Sequence, residues 1–190
     1  MTQAVENPIR NGVDTATMYA TLDAIKENPG LATFQWRAKN HWIEGSHNRT
    51  TIQQFFGAGQ DDTSREEPFV VDAGEPPILL GANEGPNPAE LLLSALAACL
   101  TTSLVYVAAA RKVHLTEVES TIEGDMDVQG ALGLSDEVRN GFKEIRVHFK
   151  VKGDAPPEKL QEVVERAQAR SAVFDSITRG VPVKVDANVA

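Results

Sequence analysis

Cys99 is the single cysteine of a 190-residue chain, and it stands inside the uncharged run from Leu91 to Ala110. Two chemistries are open to it. As a thiolate it is a nucleophile that an oxidant can convert to a sulfenic acid. As a protonated thiol on an apolar helix it is a small hydrophobe. The first requires a cation nearby, and the helix supplies none, since its nearest basic residue is Arg111. The cation has to come from another element or another subunit, and Arg37, Arg49 and Arg170 are the candidates that sequence allows.

Other chemistries leave weaker marks. The histidines His41, His47, His114 and His148 are not paired at metal-ligand spacing and have no cysteine cluster beside them, so no metal site is expected. His148 falls on the polar side of an alternating segment and reads as solvated. The stretch Asp125-Met-Asp127-Val-Gln129-Gly130 has a trace of a calcium loop, but strands flank it and the twelfth position is Asp136 instead of glutamate. Neither a glycine-rich phosphate loop nor a Gly-x-Ser-x-Gly elbow is present, and no cofactor is expected.

The elements that would position Cys99 follow from periodicity. Residues 1–13 read as a loose tail. Asp14 to Asn28 reads as a short helix capped by Asp14 or Thr15 and stopped by Asn28-Pro29-Gly30. Ala32 to Ile43 and Thr50 to Phe56 predict a β-hairpin with EGSHNR as its turn, and Pro68 to Asp72 a further strand. Gly74 to Pro88 is a connection, with Pro88 placed to open the apolar helix. From Val118, apolar and polar residues alternate strictly to Val128, and they do so again from Phe142 to Lys152. That is an antiparallel pair with one wet face. Leu160, Val163, Val164 and Ala167 make the stripe of a second helix, SAVFDSI a short third one, and VPVKVDANV a closing strand. Segregated strands and helices predict an α+β fold, with two antiparallel sheet halves around one long helix buried on all sides. The tail and first helix occupy 1–30, and a single domain fills 31–190.

A chain of this length buries a real core. A hydrophobic content of 42% with 24% charged residues is ordinary for a soluble domain. The net charge of −9 argues against nucleic acid and against an anionic membrane surface, which both need a basic face. One cysteine allows no internal disulfide, and MTQAVENPIRNG lacks a basic-then-apolar leader, so a cytoplasmic protein is expected. The run from Leu91 to Ala110 is long enough to span a bilayer. Its Ser94, Thr101, Thr102 and Ser103, and the amphipathic strands that need an apolar partner, favour a core helix instead.

The run GPNPAELLLSALAACLTTSL resembles the central-helix signature of the osmotically inducible protein C and organic hydroperoxide resistance family (OsmC/Ohr), in which Asn-Pro-x-Glu-Leu-Leu leads to Ala-Ala-Cys. The resemblance continues through VESTIEGDMDVQGALGL and GFKEIRVHFKVKGDA to VPVKV, roughly residues 32–186. It implies an intertwined α+β homodimer with the active site at the subunit interface. There the cysteine matching Cys99 attacks an organic hydroperoxide. A second cysteine at the start of the late helical segment closes a disulfide, and an arginine and a glutamate activate the first thiol.

The sequence departs from that pattern in two places. Ser171 stands where the second cysteine is expected, and serine forms no disulfide. Ala89 stands where the glutamate should be, with Glu90 one residue off and rotated by about 100° around the helix. Arg49, in the hairpin turn beside His47, is the nearest match to the arginine. Two functions follow as expectations. In one, Cys99 is the sole peroxidatic thiol, recycled by an external thiol reductant, with Arg49 and Ser171 at the site. In the other, an interface cavity lined by Trp36, Trp42, Phe55, Phe56 and Phe174 binds an apolar small molecule, with Cys99 as wall.

Overall fold

In a computed structural model of the chain, residues 8–189 are described. They divide into two compact units. One joins the residues up to Val13 to those from Leu93 onward, and the other is Asp14–Leu92. The expected loose tail is built structure from residue 8: β1 (Ile9–Arg10) pairs with β2 (Val13–Asp14). Between them the Asn11 side chain donates to the Val113 carbonyl and accepts from the Leu115 amide, both at 2.9 Å, so it serves as a piece of strand for a chain that turns there. Residues 1–7 of the expected tail lie outside the described residues.

The middle unit opens with α1 (Thr15–Glu27), whose start is fixed by the Asp14 carboxylate accepting from the Ala16 and Thr17 amides. The aromatic and β-branched segment then makes more strands than its pattern predicts. β3 (Lys39–Glu44) pairs with β4 (His47–Ile52) through a turn of only Gly45 and Ser46, with Gly45 at φ +51°. Arg49 therefore lies within β4 and not in the hairpin turn. β5 (Phe55–Gly57) and β6 (Gln60–Asp62) form a second hairpin, and β7 (Phe69–Ala73) pairs with β4, giving the order β3-β4-β7.

The other unit carries the core. α2 (Pro88–Ala110) crosses into it at Leu93 and runs to a turn before β8 (Leu115–Asp125). A short α3 (Val128–Ala131) follows, then β9 (Glu144–Gly153), which pairs with β8 along its whole length. Ile145, Val147, Phe149 and Val151 face inward and Glu144, Arg146, His148 and Lys150 outward, as the alternation predicts. α4 (Pro157–Gln168) and α5 (Ala172–Arg179) complete the unit. Leu104, Ala108, Val113, Val163 and Ala167 are fully or almost fully buried, with Val118, Phe149, Val151 and Leu160 packed around them.

Two expectations are corrected. α2 is not buried all round: Leu96, Leu100, Leu104 and Ala108, one residue per turn, form its buried stripe, while Leu92 and Tyr106 are exposed. α2 is long and apolar enough to cross a membrane by length and composition, yet its buried stripe belongs to a mixed core, as in a helix of a soluble domain. The closing segment VPVKV is not a strand either, and Val181, Val183 and Val185 are exposed at 58%, 78% and 87%. An alternating sequence becomes a strand only against a sheet edge, and within the described chain no edge pairs with it.

Candidate functional site

The start of α2 engages Glu90 in a helix cap. The Glu90 carboxylate accepts from the Asn87 amide at 2.8 Å, and the Asn87 side chain accepts from the Glu90 amide at 2.8 Å. This reciprocal cap spends both groups on closing the helix end. The hydrocarbon run that follows places Cys99 between Leu96 and Leu100 of the buried stripe, so the thiol is half-buried.

Ser171 comes to Cys99 because the second helix breaks there. α4 ends at Gln168, and Ser171 restarts the chain as the N-cap of α5, its Oγ accepting from the Phe174 amide at 3.3 Å. Ser171 is 1% exposed. The Ser171 hydroxyl also acts on the Cys99 thiol. Burial pushes the Cys99 thiol up. The Ser171 hydroxyl, then the Val173 and Ala172 amides, then the Ser103 hydroxyl pull it down, and the result is a pKa below that of an ordinary cysteine. The amides belong to the first turn of α5, where unpaired N–H groups and the helix dipole favour an anion. The thiol is thus held by neutral donors, and no guanidinium figures among the groups acting on it.

The three arginines weighed from the sequence have different fates. Arg49 donates through Nε and an Nη to the two oxygens of Asp72 at 2.9 and 3.0 Å, across the β4–β7 pair, and His47 Nε2 meets the same carboxylate at 3.0 Å. The Arg49 guanidinium, by hydrogen bond and charge, holds the Asp72 carboxyl below its usual range. Arg37 pairs with Asp61 at 2.9 Å. Both lie in the middle unit. Arg170 directly precedes Ser171 in the unit of Cys99, is exposed, and makes no side-chain hydrogen bond or ion pair with any described residue. The structure therefore brings Cys99 and Ser171 together, while Arg49 belongs to a separate cluster with Asp72 and His47.

The unit of Cys99 also holds a cavity of about 630 Å³. Leu100, Leu104, Ile145, Phe149, Leu160, Val164 and Phe174 form its apolar wall, with His148, Gln161 and Gln168 as polar members. Leu100 follows Cys99 in the chain, and Phe174 is the residue whose amide holds Ser171. Of the five aromatics expected to line a cavity, Phe174 is in this wall. Trp36 stacks with Phe34 and packs at a tilt against Phe55 instead, and Trp36 and Trp42 are each 67% exposed.

The acids of the calcium-like stretch are occupied otherwise. Asp125 pairs with Arg146, and Asp127 binds Lys143 and caps α3. Among the described residues no three His, Cys, Asp or Glu side chains gather to hold a metal ion. Sequence reasoning missed Ser103, Asp72 and the α5 amides. Ser103 was within reach, being four residues on from Cys99 and so on the same helix face. Asp72 depends on the β4–β7 register and the amides on where α5 begins.

A family profile described as OsmC-like protein matches residues 81–186. Among solved structures, an OsmC-like protein from Mycoplasma pneumoniae aligns with TM-score 0.57 at 16% identity, over 77% of this chain and 89% of its own. An organic hydroperoxide resistance protein OsmC from Legionella pneumophila aligns with TM-score 0.55 at 24% identity, over 80% and 96%. An organic hydroperoxide resistance protein from Elizabethkingia anophelis aligns with TM-score 0.52 at 20% identity, over 78% and 89%. At these identities the likeness is one of fold. No curated protein matches the sequence.

Proposed function

The chain belongs to the OsmC-like protein family, and from that premise we propose that it reduces organic hydroperoxides in peroxide defence, with Cys99 as its one peroxidatic thiol. The observation that carries this is the Cys99 thiol at the first turn of α5, lowered in pKa by hydroxyl and amide donors against its own burial. Two solved structures of the same fold bear the name organic hydroperoxide resistance protein, which supports the substrate class. The Cys99 thiolate attacks the outer peroxide oxygen. The O–O bond breaks, the alkoxide leaves with a proton as the alcohol, and the sulfur is oxidised to the sulfenate. The donors that lower the thiol's pKa also suit the sulfenate oxygen, and the apolar cavity suits the organic part of the peroxide.

Ser171 cannot close a disulfide, so the sulfenic acid is reduced from outside. An external thiol condenses with it, releasing water and leaving a mixed disulfide. A second thiol equivalent then frees Cys99 and leaves as the oxidised disulfide. Arg49 is carried here as the guanidinium that the family resemblance assigns, and Arg49→Gln tests it by a separate fall in turnover. A homodimer in the cytoplasm completes the proposal, the second copy covering the exposed side of α2. Its check is the mass in solution by light scattering.

The test is consumption of cumene hydroperoxide by wild type and Cys99→Ser, with dithiothreitol and then a dihydrolipoyl-type thiol as reductant. Turnover by wild type alone supports the proposal, and equal inertness of both refutes it. The cavity favours a second reading, in which an apolar ligand is bound without turnover. Ligand retained equally by wild type and Cys99→Ser, with neither consuming peroxide, would establish that reading.

A further inference from the structure

The unit Asp14–Leu92 has almost no core of its own. Of the nine hydrophobic residues buried among the described residues, only Ala73 belongs to it. α1 runs for 13 residues with Thr15 as its one buried member, although a helix of that length is marginal in water without a packed face. The sheet β3-β4-β7 is in the same position. Its register sets Lys39, His41, Arg49 and Asp72 on one face and Trp42, Ile52 and Phe69 on the other. From Phe69 the aromatic surface runs on beyond the sheet. The Arg65 guanidinium lies over the Phe69 ring at 5.1 Å and over the Phe55 ring at 5.2 Å, and Phe55 packs against Trp36 at 4.7 Å. A sheet with one apolar face buries it against another layer, yet Trp36 and Trp42 are each 67% exposed and Phe69 is 60% exposed.

The exposed area sets the size of the layer this unit needs. The chain exposes 13935 Å². Two compact units with its mass of 20.6 kDa between them expose about 10,700 Å² even when counted apart. The surplus, roughly 3,000 Å², is on the scale that obligate homodimers bury. The residue types agree, since the buried centre of a protein interface is rich in Trp, Phe and Arg. We infer that the unit Asp14–Leu92 takes its core from a second copy of the chain. That copy covers the Trp42–Phe69 face with its extension to Trp36, and the side of α1 that carries Met18 and Leu22. The folding of this unit is then tied to association. The inference rests on the homodimer of the proposed function and not on the chemistry at Cys99. It assigns the contact to a segment that lies mostly before residue 81, where the family profile begins.

The chain supplies its own probe, because both of its tryptophans, Trp36 and Trp42, stand on this surface. Mass by light scattering, acrylamide quenching and Tm are followed on the full chain over a dilution series. At high concentration the expected result is a dimer whose tryptophans are quenched several-fold less than free indole. On dilution the mass should halve, quenching should rise and Tm should fall together. Trp36→Ser and Leu22→Asp should each weaken the dimer about 30-fold or more, as for a hot-spot residue, whereas on a free surface such changes shift little. Lys39→Glu, on the charged face of the sheet, should leave the dimer within about twofold. A dimer whose tryptophans are quenched as freely as indole, or one unmoved by both Trp36→Ser and Leu22→Asp, overturns this inference and leaves the homodimer standing. A monomer at every concentration overturns both, and shielded tryptophans in that monomer would mean that the chain covers this face itself.

Discussion

Ser171→Ala separates the structural from the chemical work of one hydroxyl. It removes the N-cap of α5, orphaning the Phe174 amide that now binds Ser171 Oγ at 3.3 Å. A lost serine cap costs about 1 kcal/mol. Here the residue is 1% exposed, so water does not replace it, and about 2 kcal/mol is expected, a fall in Tm of roughly 4–8 °C for a chain of this size. That part does not depend on pH. The substitution also removes the foremost donor lowering the Cys99 pKa. A group whose pKa is lower in the folded state than in the unfolded one adds stability above its unfolded value and loses it as pH falls through its folded value. The extra cost of Ser171→Ala is therefore present at about pH 10 and absent at about pH 6, on either side of the ordinary thiol range. Melts of wild type, Ser171→Ala, Cys99→Ser and the double variant at both pH values measure it. The pH-dependent part should vanish in the Cys99→Ser background. A cost that is equal at both pH values in the Cys99 background, or that changes with pH without the thiol, would refute the reasoning.

Three further outcomes follow from the packing. Leu104→Ala, at a fully buried core position that also walls the cavity, should cost about 3 kcal/mol and lower the urea midpoint with little change in slope. Asn11→Ala breaks two hydrogen bonds to the chain after α2 and should cost about 2 kcal/mol by denaturant titration. Asn11 sits at φ +51°, so Asn11→Gly should cost less than Asn11→Ala. Val164→Phe narrows the cavity and should raise KM for cumene hydroperoxide more than for tert-butyl hydroperoxide, and equal effects would place the organic group elsewhere.

Legibility in the sequence tracked how far each signal was local. The β8–β9 pair was readable because its period of two runs unbroken from Val118 to Asp125 and along all ten residues of β9. Asp14 was readable as a cap because a cap acts within three residues. The β5–β6 hairpin was not, because Gln60–Asp62 is wholly polar and its turn relies on Ala58 and Gly59 in left-handed conformations. VPVKV has the pattern of a strand, but pairing is a property of two segments and only one is in its sequence. The side chains of α2 alone call for a cation beside Cys99, but the start of α5 brings amides and a hydroxyl that do similar work. Arg49 was found as a residue and misplaced as an element, since the turn before it is two residues long instead of six.

The most direct test of Cys99 as a lone peroxidatic thiol is a single turnover followed by intact mass. Reduced protein receives one equivalent of cumene hydroperoxide, is sampled within seconds, and then meets excess mercaptopropionate. The prediction is the gain of one oxygen on Cys99 with one equivalent of alcohol formed, then a transient mixed disulfide, then the starting mass. Protein of unchanged mass with the peroxide intact, or the same peroxide loss in Cys99→Ser, would contradict it.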